Sequence, residues 1–168
     1  MEESRGVLYL DVPPGKDAAR CGNWESVSLT LDDGESWLPR AQSALWELRR
    51  RCGWICVAAD RSGAGAAAAL AAQLPVDRLA LTDSRLFDRS GPRLRGQAAR
   101  LERFARRNLA LVVSEVLLIG ASDREIRGFA SLMGRHRVCA LESCGENFLT
   151  ASWGEVNENN LLIPRKCV

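Results

Sequence analysis

The stretch Gly53 to Leu74, GWICVAADRSGAGAAAALAAQL, leaves the chain few folds to choose from. Trp54 to Ala59 is a short apolar run bounded by turn residues, the pattern of a strand buried on both faces. Asp60-Arg61-Ser62-Gly63-Ala64-Gly65 is a tight, glycine-containing turn. Ala66 to Ala72 carries no polar side chain, so a helix there is buried all round. Buried strand, tight turn and buried helix form the layout with which α/β proteins present a nucleophile or a phosphate site.

The flanking sequence repeats the alternation. Gly6 to Val12 and Ser26 to Leu31 read as the first two strands, the first ended by Pro13-Pro14-Gly15. Ser36 is placed to cap a helix in which Trp37, Ala41, Ala44, Leu45 and Leu48 form one apolar stripe. Arg49, Arg50 and Arg51 fall in its last turn, where cations suit the helix dipole. After Pro75, strands are expected at Arg78–Thr82, Val112–Ile119 and Arg137–Glu142. Helices are expected at Arg93–Arg107, from about Glu125 to Met133, and from Asn147 to about Trp153. The second of these strands leads into Gly120-Ala121-Ser122-Asp123. On the 93–107 helix, Leu94, Ala98, Leu101 and Ala105 face inward. Its outer face carries Arg93, Arg100, Arg103 and Arg107, read as a solvated face. Strands alternating with helices specify a three-layer α/β sandwich: a mainly parallel sheet of about six strands with helices on both faces. Sites in such sheets lie at the carboxyl ends of the strands.

Composition narrows the function classes. A chain of 168 residues with 46% hydrophobic and 26% charged residues suits one globular domain, 1–168. A net charge of +2 with no block of five like charges is no nucleic-acid footprint. No apolar run approaches the roughly 20 residues of a membrane span. MEESRG lacks the pattern of a signal peptide, so a cytoplasmic location is expected. The six cysteines form no CxxC pair and read as reduced, structural thiols. His136, Cys139 and Cys144 are too poorly spaced for zinc, and no metal or cofactor is expected.

The run from Trp37 to Asp83 resembles the centre of the α/β-hydrolases, the esterase- and lipase-like superfamily. Asp60-Arg61-Ser62-Gly63-Ala64 is similar to their nucleophile elbow, with Ser62 in the nucleophile's place. EVLLIGASD resembles the strand and loop that carry the acid, which puts Asp123 there. ALESCGENF resembles the last strand and the turn that carries the base, with Glu146 where the family has histidine. The resemblance implies strand order 2-1-3-4-5-6, without the usual first hairpin or a lid. It also implies an oxyanion site formed by Gly63 and the loop after the first strand, with Val12 and Gly15 at the pocket and Asp60 beside it. Pro13 and Pro14 have no N–H to offer there.

The departures define the expected function. Asp60 stands where the elbow needs a small residue, and the base is missing. Without a base a serine hydroxyl is a poor nucleophile, and losing it costs on the order of 10⁶ in rate. His136 precedes the last strand and falls at the wrong edge of the sheet. The expectation is a degenerate hydrolase-like protein that keeps a pocket around Ser62, Asp123 and Glu146 for a small ester or another ligand. A weak esterase or thioesterase acting through Ser62 is the second reading. A third is a short-chain-dehydrogenase-like NAD(P) protein, from Ser62-Gly63-Ala64-Gly65 and Asp83. It is opposed by the absence of a Tyr-x-x-x-Lys, since Tyr9 is the only tyrosine. Trp24, expected in a loop, is the candidate for contact with a protein partner or a second copy of the chain.

Overall fold

A computed structural model of the chain describes residues 4–11, 24–31, 37–91 and 93–141. Six strands and four α-helices alternate within them: β1 (Arg5–Leu10), β2 (Trp24–Leu29), α1 (Trp37–Arg51), β3 (Trp54–Ala59), α2 (Ala64–Gln73), β4 (Arg78–Thr82), α3 (Gly96–Asn108), β5 (Glu115–Ile119), α4 (Asp123–Met133) and β6 (Val138–Leu141). The strands form one sheet in the order β2-β1-β3-β4-β5-β6, as the resemblance implied. Every pair in it is parallel.

The order dictates where the helices go. From β2 onward each crossover steps across the sheet in the same direction. Right-handed connections then put the four described helices, α1 to α4, on one face, where helices on both faces were expected. All four contribute to a single core cluster with Leu8, Leu10, Ile55, Val57, Leu79, Leu81, Val116 and Leu118. The alternate strand residues Val7, Tyr9, Cys56, Ala58, Ala80, Leu117, Ile119 and Cys139 point the other way and form a second buried cluster. Both faces are therefore apolar, which is why β3 reads as an unbroken apolar run rather than an alternating one. Burial raises the Cys56 thiol well above its ordinary pKa, so this sulfur is an inert packing group.

The alanine-rich helix α2 lies between the sheet and α3, and Ala64 to Ala71 are all buried. Its small side chains allow α3 to pack close. A Cβ on Gly65 would stand 2.9 Å from the backbone N of Glu102 on α3. A Cβ on Gly63 would stand 2.7 Å from the carbonyl O of Leu10 on β1. The two glycines of the turn thus have a packing reason to be there.

The α1 stripe is buried as expected, through Trp37, Ala41, Leu45 and Leu48. At the base of β3, Asp77 accepts from the Ile55 backbone N–H at 2.7 Å and pairs with Arg49 at 3.0 Å. Trp54 is covered by the guanidinium groups of Arg5 and Arg78, at 5.6 and 5.5 Å from its ring centre.

Several boundaries differ from expectation, each for a local reason. β1 stops at Leu10 because Asp11 turns into the left-handed region, φ 58°. β2 begins at Trp24, so this residue is in a strand and not a loop. α3 begins at Gly96, because Arg95 is extended, and only Ala105 of its expected inward residues is fully buried. β5 begins at Glu115, since Leu109–Leu111 forms a 3-10 turn and Glu115 N–H starts the ladder on Asp77 O. β6 begins at Val138 because Arg137 closes a 3-10 turn on Gly134 O. The expected Ser36 cap, the Pro13–Gly15 turn and the helix from Asn147 lie outside the described residues. No helix among the described residues is long and apolar enough to cross a membrane.

Candidate active site

The strand order reverses at β1, so the topological switch point lies between the carboxyl ends of β1 and β3. Crevices form there because the connections leave in opposite directions. Asp11 ends β1, and Asp60 to Ser62 leave β3. The Ser62 hydroxyl donates to Asp60 Oδ1 at 2.8 Å and stands 3.3 Å from Asp11 Oδ2. Asp11 is itself fixed: its Oδ1 accepts the Leu31 N–H at 2.8 Å, and its own N–H bonds to Leu29 O at 2.9 Å. Asp11 is the partner that sequence reasoning missed. Its signal was an aspartate at the end of a strand beside the switch point.

The turn around Ser62 is relaxed. Asp60 Oδ1 also accepts the Ser62 N–H at 3.1 Å, and Gly63 N–H bonds to Asp60 O at 3.1 Å. A nucleophile elbow is a strained turn. Here the only non-glycine residues with positive φ among those described are Asp11 (58°) and Asp83 (50°). Gly63, expected as an oxyanion donor, has its N–H engaged by the turn. Ser62 is exposed, and beside it opens a cavity of about 140 Å³ lined by Asp11, Leu31, Trp37, Ser62, Ala66 and Leu101 among others. That is close to the volume that holds a benzene-sized group.

Asp123 is the first residue of α4, exposed, and follows the cap Ser122, whose Oγ accepts the Glu125 N–H at 3.3 Å. It shares the carboxyl edge of the sheet with Ser62, but β4 intervenes, a lateral separation of roughly 10 Å. No hydrogen bond joins the two among the described residues. Glu146, Val12 and Gly15 lie outside the described residues. His136 sits in the 3-10 turn before β6, at the edge of the sheet opposite Ser62.

Another carboxylate of α4 has a structural role. Glu125 is fully buried. Its two oxygens accept from Ser84 Oγ at 2.6 Å, Leu86 N at 2.7 Å, Phe87 N at 2.7 Å and Asp88 N at 2.9 Å. This pins the β4–α3 loop onto α4. Asp88 extends the network. Hydrogen bonds from the Ser122 hydroxyl and from the Ser90 N–H and side chain lower its pKa to about 2.

No family model matches the sequence, and no curated protein matches it. A solved structure from work on LipS and LipT, two metagenome-derived lipolytic enzymes, superposes with a TM-score of 0.63 at 13% identity. The match covers 98% of this chain and 94% of that one. The fold is α/β-hydrolase-like. At that identity the likeness concerns the fold alone. The dinucleotide reading gains no support from it, and the glycines that suggested that reading serve packing against β1 and α3.

Proposed function

We propose that the chain is a single-domain, α/β-hydrolase-like protein whose serine site has lost catalysis and serves as a ligand pocket. The observation that carries the reading is the environment of Ser62. Its hydroxyl faces two carboxylates, Asp60 and Asp11, instead of an imidazole. Acyl transfer needs negative charge to build first on the serine oxygen and then on the substrate oxygen. Two fixed anions at that point oppose both. Gly63 N–H, bonded within the turn, adds no ready donor. The cavity beside Ser62, with Leu31, Trp37, Ala66 and Leu101 in its lining, supports retention of a small acyl-sized or ring-sized group without turnover.

A fluorophosphonate that labels activated serines tests this. The expected result is no labelling of the folded protein over the time that fully labels an active esterase. Stoichiometric modification at Ser62, abolished by Ser62→Ala, would overturn the proposal in favour of weak esterase action.

A further inference from the structure

A larger cleft of about 410 Å³ opens on the other side of the Arg61–Ser62 turn, between the β4–α3 loop and α3. Six arginines line it, Arg61, Arg85, Arg89, Arg93, Arg103 and Arg106, against two carboxylates, Asp88 and Glu102. The excess is four positive charges in a concavity, on a chain whose whole net charge is +2. The reading of Arg93 and Arg103 as part of a solvated face is therefore revised. Arg103 is exposed on α3, but Arg85, Arg89 and Arg93 of the β4–α3 loop, Arg61 of the turn after β3 and Arg106 of α3 line the same cleft.

The cluster is built rather than incidental. Arg85 Nη1 donates to Ser90 O at 2.6 Å, and Arg106 Nη1 donates to Leu86 O at 2.9 Å. Both acceptors belong to the loop that Glu125 pins. The ends of Arg85 and Arg61 converge over Gly91, where a Cβ would meet them at 2.5 and 3.3 Å. Gathering like charges in a recess costs free energy unless a counter-anion occupies it. We propose that this cleft binds a small ligand through a multiply charged phosphate group. Guanidinium forks match phosphate oxygens two at a time, and a surplus of four charges suits a diphosphate better than a lone carboxylate. The volume falls within the range of small-molecule sites. Leu94 lines both this cleft and the cavity beside Ser62. One ligand can therefore place its anionic end among the arginines and a small apolar group next to Ser62. The phosphate site does not depend on whether Ser62 reacts.

Calorimetric titration of the full chain with pyrophosphate is the test. Binding is expected at low salt, tighter than for inorganic phosphate, and weakened at high salt. The triple variant Arg89→Ala, Arg93→Ala, Arg103→Ala removes exposed side chains that make no hydrogen bond or ion pair among the described residues. It should keep its melting temperature and lose at least roughly tenfold in affinity. Arg100→Ala with Arg107→Ala, on α3 but outside the cleft, should keep the affinity. Three results would overturn the proposal: no pyrophosphate binding, an equal loss in the Arg100/Arg107 variant, or tighter binding of a single-stranded oligonucleotide or an anionic lipid vesicle than of pyrophosphate. Phosphonate labelling reads Ser62 alone, so either proposal can fail without the other.

Discussion

Glu125→Ala is expected to cost about 4 kcal/mol of stability and lower the melting temperature by roughly 10 °C. The side chain is fully buried and accepts from one hydroxyl and three backbone N–H groups. Each buried donor left without a partner costs about 1–3 kcal/mol. The sum is a large part of an ordinary domain's 5–15 kcal/mol. Glu125→Gln separates charge from shape. Its carbonyl oxygen can serve the Phe87 and Asp88 N–H groups, and its NH₂ can donate to the Ser84 hydroxyl but leaves the Leu86 N–H unmatched. Less than half the loss is therefore expected. Denaturant melts read the energy, and hydrogen exchange at Leu86, Phe87 and Asp88 reads the loop directly. A loss below about 1 kcal/mol for the alanine variant would show that the loop is not held by this carboxylate.

Gly65→Leu should be nearly as damaging, although on helix propensity alone it would be stabilising by roughly 1 kcal/mol. Packing decides the sign. The added Cβ would lie 2.9 Å from the Glu102 backbone N and 3.1 Å from its Cα. Backbone cannot rotate aside, so α3 must move as a body. Overpacking of this kind costs about 1–3 kcal/mol or more, and leucine adds further atoms to the same gap. A net loss of about 2–3 kcal/mol is expected from chemical denaturation. Because α3 carries Arg103 and Arg106, the same variant should weaken pyrophosphate binding without removing an arginine. A variant as stable as the parent would show that α2 and α3 do not pack this closely.

Much of the architecture was legible because it depends on local pattern. Trp37, Ala41, Leu45 and Leu48 repeat at helical spacing, and the β3 run is apolar on both sides. Those periodicities survive folding unchanged. The strand order followed from the resemblance, and handedness then fixed the helical face. What was not legible depends on pairs far apart in sequence. Glu125 read as a residue near a helix start, yet its partners lie 37 to 41 positions away. Ser62 was found from its turn, but Asp11, 51 residues earlier, came beside it only when β1 and β3 paired. The arginine cleft shows the same limit. Periodicity put Arg93 and Arg103 outside the core, correctly. It could not show that a loop pinned by Glu125 would turn Arg85 and Arg89 toward them.

The sheet order also bears on self-association. A parallel sheet of six strands ends in two edges, and edges invite pairing with the next molecule. One edge is β2, whose exposed positions are Ser26 and Ser28 and whose Glu25 is held by Arg51 at 3.0 Å. The other, among the described residues, is β6. Small polar side chains make the β2 edge a poor template for aggregation. The strongly apolar strands β1, β3, β4 and β5 are kept inside.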